Sequence, residues 1–356
     1  MTVDDVDVSC FTVPTDAPES DGTLEWDSTT IVVVEARSGP VRGTGWTYAP
    51  AAAGQVVEST LAQAVVGRSL ADLGALWLAC GARLRNAGRP GIAHCALSAL
   101  DIALWDLKAR LLREPLVALL GASHDRVPVY GSGGFCSYDD DRLREQLCGW
   151  VAHGITRVKM KLGRDPGRDP HRLDVARDAA GDAELYVDAN GAFSAKEAVR
   201  WAQRYVAEWD VRWFEEPVSS ADFEGLRLVR ESSALDVAAG EYAYVLADFR
   251  NLIGSVDCLQ ADVTRCGGIS GLLRANGLAA AHGVDISGHC APQLSAHALC
   301  AVDRLRHAEY FHDHVRVESM LFDGVLEPVD GALVPDRSRP GHGLELKRAE
   351  AARWAA

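Results

Sequence analysis

Apolar and polar positions alternate along much of this chain, and the period of alternation separates strands from helices. In "RVKMKLG", Arg157 to Gly163, the residues Val158, Met160 and Leu162 share one face of a strand, with Lys159 and Lys161 on the other. The same reading predicts strands at "VPVYGSG", "RVKMKL", "ELYVDAN", "VRWFEEP", "VAAGE", "CLQADV", "DISGHC" and "LRHAEY". Between them, "DDRLREQLCGWVAHG" and "SAKEAVRWAQRYVAEW" repeat their apolar residues at helical spacing. Such strand–helix alternation after Val127 predicts an α/β fold with a parallel sheet, closed at this length into a barrel.

The first part of the chain has a different texture. "TTIVVVEARSG" predicts a strand and "GPVRGTGWTYAP" a hairpin with a Gly-rich turn. The stretch from Cys10 to Ser28 mixes Pro, Gly and acids without a period and predicts a long loop. In "HCALSALDIALWDLKARLL", Leu97, Leu100, Leu104, Leu107 and Leu111 recur every three or four residues, as on a helix. Residues 1–126 are therefore expected to form an α+β unit and 127–322 the barrel. Residues 323–356 break the alternation and are expected to return to the first unit.

Composition narrows the function classes. The 356 residues are 48% hydrophobic and 24% charged, an ordinary globular balance. A net charge of −14 argues against nucleic acid or an anionic membrane as partner. No apolar run is long enough to span a bilayer. The acidic start "MTVDDVDVSC" lacks the basic and apolar regions of a signal peptide. Nine scattered cysteines with no CxxC pair fit reduced thiols, so a cytoplasmic location is expected.

One polar residue closes each predicted strand from the second onward: Lys161, Asp188, Glu215, Glu241, Asp262, His289 and Glu309. Their spacing is close to the roughly 30 residues of a barrel β/α unit. In a closed barrel these ends meet at one mouth. Asp188, Glu215 and Glu241 are three acids converging on a point, where a divalent cation relieves their repulsion. An all-oxygen ligand set favours Mg²⁺. Glu216 is set aside as a ligand because strand alternation points it away.

Lys159 and Lys161 sit roughly 6.6 Å apart on their strand. Their repulsion of ~2.5 kcal/mol, with a nearby cation, favours proton loss from one of them, making it a base. His289 and Asp262 lie at adjacent strand ends, where a carboxylate can orient an imidazole. Taken alone, His289 equally suits a satisfied core position. Glu309 is placed to hydrogen-bond a substrate oxygen. "HDH" at His312 to His314 is read as a solvated loop.

With these motifs in this order, the sequence resembles the mandelate racemase-like subgroup of the enolase superfamily. The resemblance rests on "ALDIALWDLKARLLREPLVALLG", "KMK", "DAN", "FEEP", "AAGE", "QADVTRCGGI", "GHCAP" and "EYF". It implies a modified (β/α)7β TIM-like barrel under an α+β capping domain, built from the N-terminal part and the C-terminal tail. It further implies Asp188, Glu215 and Glu241 as Mg²⁺ ligands, and Lys161 as base on one substrate face with Lys159 neutralising the substrate carboxylate. His289, supported by Asp262, becomes the acid/base on the opposite face, and Glu309 hydrogen-bonds the enolate oxygen.

The expected activity is abstraction of a proton alpha to a carboxylate, followed by dehydration of a sugar acid to a 2-keto-3-deoxy acid. Racemisation or epimerisation uses the same groups. A non-catalytic sugar-acid sensor and a barrel hydrolase are the readings from other classes; the first has no need of two bases, and the second ordinarily recruits histidine ligands absent here. Substrate contacts are expected from the cap, around Asp16 to Trp26 and at Trp46, Thr47 and Tyr48, although Trp46 and Tyr48 equally suit a hairpin core. The resemblance also implies a homo-oligomer, a dimer or an octamer.

Overall fold

The computed structural model describes residues 1–356. The chain opens with an antiparallel meander of β1 (Asp5–Ser20), β2 (Glu25–Ser38) and β3 (Val41–Tyr48). The long loop expected between Cys10 and Ser28 is in fact mostly strand. β1 and β2 pair from Asp5–Arg37 to Ser20–Glu25, with a register shift between Pro14 and Glu19. β1 is an edge strand, where a proline and a bulge are tolerated and the period-two signal fades. Only Asp21 to Leu24 is left to turn the hairpin.

The Gly-rich turn expected at β3 is likewise corrected. The turn lies at Gly39, and Gly43 and Gly45 stand inside the strand. There the β3 backbone presses on the helix Ile92–Leu112, so close that a Cβ on Gly43 would lie 2.1 Å from the Leu107 nitrogen and one on Gly45 2.3 Å from the Ala99 oxygen. This helix carries the predicted leucine stripe and is buried on nearly every side. Its opposite face meets the barrel helix Gly268–His282, where the Asp101 carboxylate accepts from Ser270 N (2.8 Å) and Ser270 Oγ (2.7 Å). One helix thus fastens the cap sheet to the barrel.

Eight parallel strands form the barrel: β4 (Val127–Gly133), β5 (Arg157–Lys161), β6 (Glu184–Asp188), β7 (Val211–Glu215), β8 (Asp236–Ala239), β9 (Cys258–Ala261), β10 (Asp285–Gly288) and β11 (Leu305–Phe311). They pair in sequence order, and β11 pairs back onto β4 to close the ring. Val158 and Met160 are buried outward under the helices, while Lys159 and Lys161 face the lumen. Helix starts are fixed locally: Ser194 and Glu197 form a capping box, and Asp139 and Asp222 accept from the third backbone N–H of their helices. Tyr130, Tyr186, Trp213, Ala238 and Cys258 fill the lumen below the charged rim.

The tail divides. Ala332–Leu333 adds antiparallel to the start of β4 as an extra strand. Beyond it, Gly341 bridges to Pro115, His342 N donates to Asp106 (2.8 Å), and Ala355 bridges to Phe11 of the cap. No helix is long and apolar enough to cross a membrane.

Candidate active site

Lys161, Asp188 and Glu215 are the last residues of β5, β6 and β7, while Glu241, Asp262 and His289 stand one or two residues past β8, β9 and β10. Glu309 lies within β11. All are buried. The register predicted from sequence places them together at the C-terminal mouth, where barrels keep their chemistry.

Asp188, Glu215 and Glu241 present carboxylate oxygens that all lie within 4.8 Å of one another. Glu216 departs from expectation. The strand ends at Glu215, and Glu216 takes a left-handed conformation (φ 37°), so alternation no longer sets its direction. Its carboxyl is buried, and burial followed by the charge of Glu241 pushes its pKa well above the usual range. Its Oε1 has no hydrogen-bond partner. Three acids in one cluster with an orphaned carboxyl oxygen beside them fit a hard divalent cation.

The lysine pair is also arranged differently from the sequence reading. Lys159 is fully buried and bonds to Glu215 and to Glu309 Oε1 (2.8 Å), with Asp188 at 3.5 Å. Lys161 donates to Asp188 Oδ2 (2.8 Å) and to Asn190 Oδ1 (3.0 Å). Burial is the largest influence and opposes charge on both, but the surrounding carboxylates together, led by Glu215 for Lys159 and Asp188 for Lys161, hold both ammonium groups above the ordinary lysine range. Mutual repulsion therefore does not dominate, because each lysine faces an acid of its own.

Across the mouth, His289 Nδ1 bonds to Asp262 Oδ2 (2.8 Å), which turns Nε2 toward Glu241 (3.1 Å) and the cavity. Asp262 is itself held by Thr264 N and Oγ1, both at 2.7 Å. Burial disfavours the imidazolium, yet Cys290, Glu241, Glu309 and the bond to Asp262 together raise the His289 pKa well above normal. Glu309 accepts from Ser132 Oγ (2.6 Å) and Cys290 N (3.1 Å).

A cavity of about 490 Å³ opens above these groups, lined by Lys161, Glu241, His289 and Glu309 from the barrel. Its other wall comes from the cap: Asp21, Leu24 and Trp26 at the hairpin tip, then Ser28, Thr29, Thr30 and Tyr48. The tip docks tightly, since a Cβ on Gly22 would sit 2.5 Å from the Ala189 oxygen. Tyr48 stacks on His314 with ring centroids 3.4 Å apart and donates to Glu318 (3.1 Å).

Trp46 does not line this cavity. Its indole is fully buried, stacks on Phe322 (4.4 Å) and donates to Glu318 (3.3 Å), so the expected substrate contact is replaced by support for the residue that anchors Tyr48. Thr47 is buried on the Thr264 carbonyl (2.7 Å), and Asp16 sits outside the cavity with Arg142 (2.8 Å). The "HDH" loop is a correction too. It begins the helix His312–Leu321, and its His314 is buried and lines the cavity. Sequence reasoning also passed over Ser132, Asn190, Arg265 and Cys290. Ser132 lies near the end of the first barrel strand, and its signal was the same strand-end register.

Comparison with known proteins agrees with this geometry. Residues 6–121 match the mandelate racemase / muconate lactonizing enzyme, N-terminal domain family, and residues 142–351 the enolase C-terminal domain-like family. The 3,6-anhydro-alpha-L-galactonate cycloisomerase of Streptomyces coelicolor is 34% identical, covering 94% of this chain and 93% of its own. The crystal structure of a mandelate racemase/muconate lactonizing enzyme-like protein from Rubrobacter xylanophilus superposes with a TM-score of 0.99 at 55% identity, over 100% of both chains. The L-talarate/galactarate dehydratase of Salmonella typhimurium, liganded with Mg and L-lyxarohydroxamate, superposes at 0.90 with 30% identity, over 99% of this chain and 92% of that one. The chain belongs to the mandelate racemase/muconate lactonizing enzyme family of the enolase superfamily.

Proposed function

We propose that this chain removes the proton alpha to the carboxylate of a sugar acid and eliminates the β-oxygen, giving a 2-keto-3-deoxy acid. The observation that carries the reading is that Lys161 and His289 line one cavity from barrel strands two and seven, with the acid cluster between them. Mg²⁺ held by Asp188, Glu215 and Glu241 would supply the charge that offsets these carboxylates and the oxygen charge developing on the substrate. Lys161 takes the alpha proton as the neutral amine, a form favoured once a cation offsets the Asp188 charge that otherwise keeps it protonated; such a positioned base contributes roughly 10²–10⁴-fold. His289, aimed by Asp262, gives the proton of Nε2 to the departing β-hydroxyl, and the C–O bond breaks. The resulting enol tautomerises to the ketone. Lys159, held in place by its ion pair with Glu309 (2.8 Å), supplies the positive charge on the barrel side.

Support for a polyhydroxylated substrate comes from Ser28, Thr29, Thr30, Tyr48 and Asn190 around the cavity. The cap wall carries Asp21 and no Lys or Arg, and Arg265 is engaged with Asp262 and Glu241. A second substrate carboxylate would meet no free cation there, so we read the substrate as a monoacid. A β-oxygen belonging to an internal ether ring would leave by the same steps without loss of water. The similarity to a cycloisomerase favours keeping that reaction as the second reading.

The test is turnover of aldonic acids, their anhydro forms and aldaric acids with Mg²⁺, scored for 2-keto acid and for alpha-carbon deuterium exchange in D₂O. Keto acid from a monoacid is the expected result. Binding with neither exchange nor product across the panel would leave a sensor, and the proposal would fall.

A further inference from the structure

Cys290 has no part in the chemistry proposed above, yet it stands at its centre. It is buried, lines the cavity next to His289 and Glu309, and holds a left-handed backbone (φ 50°) that a non-glycine residue adopts at a cost. Its Sγ lies 3.4 Å from His289 Nε2 and 3.3 Å from Glu309 Oε2, and those two atoms are 3.5 Å apart. A tetrahedral Zn²⁺ bound by one sulfur at about 2.3 Å and by nitrogen and oxygen at about 2.0–2.1 Å spaces its ligand atoms by roughly 3.3–3.6 Å. The three donors already stand at that separation.

Each donor is also aimed from behind. Asp262 fixes His289 through Nδ1 and leaves Nε2 free to ligate. Ser132 and Lys159 engage Glu309 through Oε1, while Oε2 accepts from Cys290 N (3.1 Å) and keeps its second lone pair for a metal. The set differs in kind from the all-carboxylate cluster, because a thiolate and an imidazole select a softer ion than Mg²⁺.

We propose that His289 Nε2, Cys290 Sγ and Glu309 Oε2 form a second cation site, specific for thiophilic divalent ions such as Zn²⁺, and that filling it shuts down the reaction. As the S–Zn bond forms, the thiol proton passes to solvent; nothing is oxidised or reduced. The bound ion occupies the His289 nitrogen that gives a proton to the leaving group, so the inhibitory consequence rests on the function proposed above. The site itself rests only on the geometry.

The experiment uses the full chain loaded with Mg²⁺ and titrated with Co²⁺, a spectroscopic stand-in for Zn²⁺. The expected result is a thiolate-to-cobalt charge-transfer band that saturates at one equivalent and is bleached by Zn²⁺. Cys290→Ser should lack the band and bind Zn²⁺ more weakly, because a hydroxyl replaces the soft thiolate ligand. Zn²⁺ should inhibit turnover in the unaltered chain at concentrations that leave the variant at its own Mg²⁺-only rate. No band in the unaltered chain overturns the proposal, as does a band of full intensity in Cys290→Ser, which would place the metal on another thiol such as the exposed Cys148. Cys290→Ala gives a second test should the serine variant fold poorly. Turnover with no cobalt band sinks this site alone, whereas a band with no turnover on any acid sinks the functional reading alone.

Discussion

The two walls of the cavity are built on different physical principles. The barrel wall is a ring of buried charges, one or two from each strand end from β5 to β11, held by ion pairs such as Lys161–Asp188 and His289–Asp262. The cap wall is made of hydroxyls and rings on a hairpin tip, with Leu24 exposed and Asp21 its lone charge. A strand end fixes a side chain to within a fraction of an ångström, as proton transfer demands. Apart from Gly22, which is packed on the Ala189 carbonyl, the hairpin tip can change residue by residue without disturbing the barrel. On the function proposed above, the difference means that the rim would set what reaction is possible and the cap which acid undergoes it. Substitutions on the two walls should therefore fail in different ways.

The largest effects belong on the rim. Lys161→Ala and His289→Ala should each lower kcat by about 10²–10⁴-fold. Stereochemically resolved deuterium exchange separates them: each variant should lose exchange on its own face of the alpha carbon. Unchanged exchange in both would remove them as bases. Asp262→Asn should cost less, about 10–100-fold, because it disturbs only the aim of His289. Its pH–rate profile should shift while KM stays near that of the unaltered chain.

The rim was legible in the sequence and the cap wall was not, for a geometric reason. Every β/α unit has nearly the same length, so a polar residue recurring near that interval marks the mouth without knowledge of tertiary contacts. The limits of that logic appear where strands stop. Glu216 was assigned by alternation, but its left-handed backbone lies past the end of β7. His314 was assigned to a loop, but a helix starts directly after β11 and carries it inward. Trp46 and Tyr48, two residues apart on β3, share a face, so pattern alone cannot rank them. Phe322 covers Trp46, while Tyr48 stands at the strand end and reaches the cavity. That outcome is decided by a residue more than 270 positions away.

An intermediate effect is expected at the hairpin tip. Leu24 is 61% exposed at the cavity edge and places no polar side chain there. Leu24→Arg supplies the cation that a second carboxylate lacks. A new charge-assisted hydrogen bond of about 1.5–3 kcal/mol should raise the ratio of kcat/KM for an aldaric over an aldonic acid by about tenfold or more. The monoacid rate should hardly move. A ratio that stays flat would mean that the tip does not face the far end of the substrate, and the division of labour between walls would need redrawing.

The smallest effect concerns the joint between the walls. Glu318 is buried below Tyr48 and accepts from Gln293 N, Tyr48 and Trp46. Burial dominates these bonds and pushes its pKa from 4.5 up to about 8. Folding therefore favours the protonated acid. Below about pH 4.5 the folded and unfolded chains carry the same proton, and the benefit of the neutral group is intact. As pH rises toward 8 the unfolded chain ionises first, and that contribution to stability is lost. Glu318→Gln keeps an acceptor for Trp46 and Tyr48 but cannot ionise. Its Tm relative to the unaltered chain should rise by a few degrees between pH 5 and pH 8. An offset that is the same at both pH values would show that Glu318 is ionised in the folded protein. Tyr48 would then rest on a charge, and the cap wall would be as electrostatic as the rim.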